Sequence, residues 1–146
     1  MKAVKGNWKP RLIVFSCKWC FPLGLEEERH LPEGCSVLRS LCTGRIHPSF
    51  VLQAIESGAD GVFIAACEDG DCHYGTGTEM LETMIGRVDP MLDMLGVESS
   101  RFRVRYFPPG KADLILESVQ EFRDQLEATG PRGPLLPAPR LSEVKK

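Results

Sequence analysis

No stretch of this sequence approaches the ~20 consecutive apolar residues that cross a bilayer. Neither sign of charge dominates, because 18 Lys and Arg stand against 20 Asp and Glu, for a formal charge of −2. That balance leaves no electrostatic footprint for nucleic acid. The start, Met1 to Pro10, carries basic residues but no apolar signal core. The expectation is therefore a cytoplasmic protein without a transmembrane segment, or one on the cytoplasmic side of a membrane complex. A Gly-rich dinucleotide fingerprint, a P-loop and a Ser/His/Asp arrangement are all missing. What remains is 146 residues with 42% hydrophobic content, enough for one domain whose core needs no disulfide staples. Six cysteines are present. In a reducing compartment they favour metal or redox chemistry over structural disulfides.

Four short segments read as strands: 12–16, 36–41, 61–66 and 102–107. The first and third are nearly all apolar, as strands covered on both faces must be. The fourth alternates apolar and basic residues, which suits an edge. Helical patterns separate the later strands. One starts at Pro48 and stops at Gly58. A second follows Thr76 and Glu79, which have capping-box spacing, and stops at Gly96, with Pro90 expected to kink or split it. The last carries Ile115, Val119, Phe122 and Leu126 on one stripe and ends at Gly130-Pro131. This alternation predicts an α/β fold, a doubly wound, mainly parallel four-stranded sheet with helices on both faces. The chain divides into an N-terminal extension (1–10), one α/β domain (11–130) and a Pro-rich C-terminal tail (131–146). Pro131, Pro134 and Pro137 recur every third residue, so the tail reads as a polyproline docking arm or a disordered end. The weakest link is 21–35, where a crossover has a brief helix at most.

On this sheet the cysteines converge. Cys17 follows the first strand, Cys42 ends the second and Cys67 ends the third, all on the carboxyl edge where open α/β sheets put their sites. Cys20 joins from the first loop and Cys72 from the third. Cys35 precedes the second strand, roughly 20 Å from Cys42 at ~3.3 Å per residue, and is read as a buried or surface thiol. Apolar Phe21, Pro22 and Leu23 with basic Arg45 beside that edge suit a subunit contact.

Thiolates are soft ligands, and several around one centre suit an iron–sulfur cluster or zinc. The short spacings Cys17-x-x-Cys20 and Cys67-x4-Cys72 let one loop grip a centre, with Gly70 and Gly75 loosening the backbone. Four readings stay open on spacing: an iron–sulfur cluster, a structural zinc, a thiol–disulfide pair and inert thiols. Zinc has no need of a fifth cysteine. A thioredoxin-like pair wants a helix start at the first thiol, where Pro22 and Gly24 stand instead. Cys17, Cys20, Cys67 and Cys72 read as the ligands, with Cys42 as a substitute or supporting thiol. His73 reads as a donor or surface group rather than a ligand, and Trp19 as a shield or a core residue. Asp69 and Asp71 read as a solvated loop.

The strings Phe15-Ser16-Cys17-Lys18-Trp19-Cys20, Cys42-Thr43-Gly44-Arg45 and Cys67-Glu68-Asp69-Gly70-Asp71-Cys72-His73-Tyr74 resemble the delta subunit of methyl-viologen-reducing hydrogenase. Ala59-Asp60-Gly61-Val62 and Gly96-Val97-Glu98-Ser99-Ser100-Arg101 resemble it too, so the likeness spans about 11–130. It implies a [2Fe–2S] protein whose cysteine positions are Cys17, Cys20, Cys42, Cys67 and Cys72. It further implies a non-catalytic subunit that passes electrons between a hydrogenase, formate dehydrogenase or other dehydrogenase and the flavin subunit of heterodisulfide reductase. The rival readings are a zinc-stapled bridging subunit and a dithiol redox protein. The stretch between Cys20 and Cys42 is shorter than that family's pattern, and 131–146 is extra.

Overall fold

The computed structural model describes residues 6–19 and 30–137. Four strands, β1 (Leu12–Cys17), β2 (Cys35–Ser40), β3 (Gly61–Cys67) and β4 (Phe102–Phe107), form one sheet in the order β2-β1-β3-β4. Every pairing is parallel: Leu12 lies opposite Cys35 and Gly61, and Val62 opposite Phe102. The expected α/β fold is the observed one.

Three helices accompany the sheet among the described residues: α1 (Pro48–Glu56), α2 (Gly77–Met94) and α3 (Ala112–Thr129). Alternate residues of the central strands feed two cores. Phe15, Val62 and Ile64 pack with Val51 and Ile55 of α1 and Leu81, Val88 and Leu92 of α2. Leu12, Val14, Phe63 and Ala65 pack on the other face with Ile115, Val119, Phe122 and Leu126 of α3. Period-two alternation makes this possible, since an all-apolar strand can bury both of its faces. All seven residues of β3 are buried, whereas β4 ends one side of the sheet and is partly exposed.

Several local expectations are corrected. Thr76 stands at the N-cap of α2 but makes no side-chain cap bond. Pro90 does not split α2, which runs unbroken from Gly77 to Met94. The proline and Gly86, four residues earlier, both face solvent. The carbonyl that loses its amide partner can therefore bond water, while Leu81, Met84, Val88 and Leu92 anchor the helix to the core. Cys35 opens β2 rather than preceding it, and Cys42 lies two residues past the end of β2. The crossover at 21–35 falls mostly outside the described residues.

The beginning of the tail is not free. Arg132 donates to the carbonyls of Ile55 (2.8 Å) and Ala59 (3.1 Å), and the Leu136 amide donates to the Leu95 carbonyl (2.9 Å). Leu135 packs against the α1–α2 core. Arg132, Leu135 and Leu136 therefore contact the folded body, while 138–146 lie outside the described residues. Arg101 is buried just before β4. It donates to the Asp60 and Gly130 carbonyls at 3.2 and 2.9 Å and pairs with Glu98. That clamp ties the start of β3 to the end of α3.

Candidate metal or redox centre

The strand order reverses between β1 and β3, because the chain leaves β1 for one flank and β3 for the other. A crevice opens at such a point beyond the carboxyl ends of the strands. Cys17 and Cys67 are the last residues of these two central strands. They are buried and pack against each other. The Cys17 sulfur accepts from the Trp19 amide at 3.2 Å and donates to the Leu41 carbonyl at 3.6 Å.

Cys42 enters from the end of β2. It caps the short 3-10 turn Thr43–Arg45 and accepts from the Gly44 amide at 3.4 Å. Its sulfur lies 3.8 Å from that of Cys72, thirty residues away in the loop after β3. Cys42 thus meets Cys72 directly. Gly70 and Gly75 take positive φ values of 83° and 87° in the loop that carries Cys72, so a residue with a Cβ is strained there.

The first turn of α2 closes the arrangement. A Cβ on Gly77 would lie 2.3 Å from the Cys42 sulfur and 2.7 Å from the Cys72 sulfur. One on Gly44 would lie 2.6 Å from the Gly77 carbonyl oxygen. The Thr78 hydroxyl, buried, reaches the Cys67 carbonyl at 3.4 Å. Sequence reading passed over Gly44, Gly77 and Thr78. The available signal was a glycine two residues after one cysteine and five after another.

Electrostatics divide the pair. Desolvation pushes the Cys42 thiol up, and the neighbouring Cys72 adds to the effect against the Gly44 amide. Cys72 is desolvated too, but the amides of Tyr74, Gly77 and Gly75 and the Cys42 thiol outweigh this and hold it below the ordinary thiol range. Backbone N–H groups aimed at sulfur favour thiolate, the form that binds metal.

The other expected residues fall as follows. Trp19 stacks on His73, and its indole N–H donates to the Tyr74 hydroxyl at 3.3 Å. Arg45 is exposed on a cavity of about 340 Å³ lined also by Leu41, Cys42, Tyr74 and Met80. Asp69 and Asp71 are exposed, as a solvated loop should be. Cys35 sits at the amino edge of the sheet, five residues along from the Cys17 level, which is about 17 Å at ~3.3 Å per residue. Cys20, Phe21, Pro22 and Leu23 lie outside the described residues. Cys17, Cys35, Cys42 and Cys72 are free thiols, and Cys67 is disulfide-bonded.

Residues 12–130 match the family described as methyl-viologen-reducing hydrogenase, delta subunit. This chain belongs to that family. Its relatives include the iron–sulfur subunit of the vhc F420-non-reducing hydrogenase from Methanococcus voltae. That protein is 34% identical over 129 residues, which cover 86% of this chain and 90% of the relative. The F420-non-reducing hydrogenase iron–sulfur subunit from Archaeoglobus profundus is 30% identical, over 86% of this chain and 94% of its own length. A second kind of relative is far longer. A subunit of the ferredoxin:CoB-CoM heterodisulfide reductase from Methanosarcina mazei is 31% identical over 94% of this chain but only 18% of its own length. The family thus occurs both as a small separate polypeptide and as one part of a larger one.

The described sulfurs form two pairs, Cys17 with Cys67 and Cys42 with Cys72. Among the described residues no group of three or more His, Cys, Asp or Glu side chains is arranged to hold a metal ion, but soft sulfurs that receive N–H donors, with no room for a side chain at Gly77, are the chemistry a cluster would use.

Proposed function

We propose that this chain is a [2Fe–2S] electron-transfer subunit whose cluster is held by thiolates drawn from Cys17, Cys20, Cys42, Cys67 and Cys72. It serves an oxidoreductase complex and has no substrate site of its own. The observation that carries the reading is the 3.8 Å approach of the Cys42 and Cys72 sulfurs across the first turn of α2. Two thiols from separate loops, packed so closely that only a glycine fits beside them, have the geometry of a shared centre. When bound, such a cluster supplies one-electron oxidation and reduction. The protein's part is to hold the sulfurs, direct the amides of Trp19, Gly44 and the 74–77 segment at them, and bury the strand ends against water.

The relatives support the choice of partners. The F420-non-reducing hydrogenase relatives are named iron–sulfur subunits, and the heterodisulfide reductase relative contains a stretch like this chain. We therefore place the chain between a hydrogenase, formate dehydrogenase or other dehydrogenase and the flavin subunit of a heterodisulfide-reductase-type complex. Arg45 and the exposed Leu41, Tyr74 and Met80 give the sulfur edge an apolar surface with a charged neighbour, suited to a subunit contact.

A dithiol redox protein is the second reading, favoured by the disulfide at Cys67, which must be reduced before that thiolate can serve a cluster. Anaerobic purification of the full chain separates the two. The expected result is a brown protein with about two irons and two acid-labile sulfides per chain and an EPR signal on reduction. A colourless protein holding zinc would mean a structural staple, and one holding no metal would mean thiol–disulfide chemistry.

A further inference from the structure

Glycine is usually demanded by backbone conformation, and eight glycines among the described residues have positive φ. Gly44 and Gly77 are not among them. Gly77 is the first residue of a helix, where alanine is the better helix former. Nothing in the local backbone therefore excludes alanine at either position. What excludes it is a neighbour. At Gly77 the nearest atoms are the two cysteine sulfurs, and at Gly44 they are the oxygen, Cα and carbonyl carbon of Gly77, the last two at 2.7 and 3.1 Å.

We infer that Gly44 and Gly77 are positioning residues, whose missing side chains let two turns close until the Cys42 and Cys72 sulfurs share one centre. The contact is layered. The turn after β2 presses Gly44 on the backbone of Gly77, and Gly77 in turn presses on both sulfurs. Each sulfur is one bond from its own Cβ, so a cysteine cannot yield like the tip of a long side chain. A methyl group at Gly77 must push at least one sulfur aside or lift the helix start away from them. At Gly44 it must separate the turn that carries Cys42 from the helix that faces Cys72. Gly86, in the middle of the same helix, has nothing within 4 Å of an added Cβ and supplies the control.

This inference rests on the reading that these cysteines hold a cluster, and the experiment keeps the two apart. The full chain and its Gly77→Ala, Gly44→Ala and Gly86→Ala variants are purified anaerobically, and monomeric folded protein is selected by gel filtration and circular dichroism. Iron per folded chain, EPR g-values and midpoint potential are then measured. Gly77→Ala should lower iron retention by about tenfold or more, the range for residues that orient metal ligands. Gly44→Ala should keep more iron but show shifted g-values and a shifted potential, which a merely structural role would not produce. Gly86→Ala should match the wild type in all three. Wild-type iron, spectrum and potential in both Gly44→Ala and Gly77→Ala would overturn the inference while leaving the cluster reading intact. Failure of both to fold would assign the glycines to folding and overturn it as well. A wild-type chain without iron would remove the functional reading and this inference with it.

Discussion

The Trp19 and His73 rings stack with centroids 3.8 Å apart and planes 15° from parallel, joining the loop after β1 to the loop after β3. Tyr74 extends the contact, with its ring edge-on to His73 and its hydroxyl accepting from the Trp19 indole. Both loops carry cysteines of the candidate centre, so the stack holds the two sides of the crevice together. An aromatic pair of this kind contributes about 1 kcal/mol beyond its burial. Trp19→Ala should therefore lower metal-free stability by about that amount in urea denaturation. Trp19→Phe, which keeps a ring for His73, should recover most of it. Equal urea midpoints for Trp19→Ala and wild type would show that the stack adds nothing.

The segment 131–137 carries a second prediction. Arg132 bonds the carbonyls of Ile55, in the last turn of α1, and of Ala59, just beyond it; the Leu136 amide bonds the carbonyl of Leu95, and Leu135 packs on the core. Ending the chain at Pro131 should cost about 2 kcal/mol, the sum of a half-buried leucine and lost hydrogen bonds. Arg132→Ala should account for about half of that. Thermal and urea unfolding of the isolated protein measure both. Unchanged stability on truncation would return the whole tail to the role of a free arm.

Cys35 gives a pH dependence remote from the centre. Burial pushes its thiol up from 9.0 to about 11, with Arg123 opposing weakly. The folded protein then keeps this proton at pH values where the unfolded chain has lost it. The stability Cys35 contributes is full below pH 9.0 and is lost as pH rises through about 11. Cys35→Ala should flatten the fall in stability across that window relative to wild type, while remaining similar in slope near neutrality. The readout is the urea midpoint at a series of pH values between neutral and alkaline. Parallel curves for the two proteins would mean that this thiol titrates normally.

The fold was legible because its signals are local. Nearly all-apolar runs at β1 and β3, a basic-alternating run at β4 and three helical stripes determine the element order. A parallel sheet built in that order must gather residues at its strand ends on one edge. Cys17 and Cys67 were therefore placed correctly from sequence alone, as was the remoteness of Cys35. Pro90 does not interrupt α2, whose Leu81, Met84, Val88 and Leu92 are buried in the core on either side of it.

What only the tertiary structure decided are contacts between segments far apart in the chain. Cys42 meets Cys72 across thirty residues, Trp19 meets His73 across fifty-four, and Arg132 meets Ile55 across seventy-seven. Gly44 and Gly77 look like ordinary loop and cap glycines in sequence, since the reason for a missing Cβ lies in a neighbour and not in the residue's own φ. Periodicity and turn chemistry act over a few residues and so can be read from the sequence. The separation of two sulfurs depends on how closely two turns pack, and that is settled only when the chain has closed on itself.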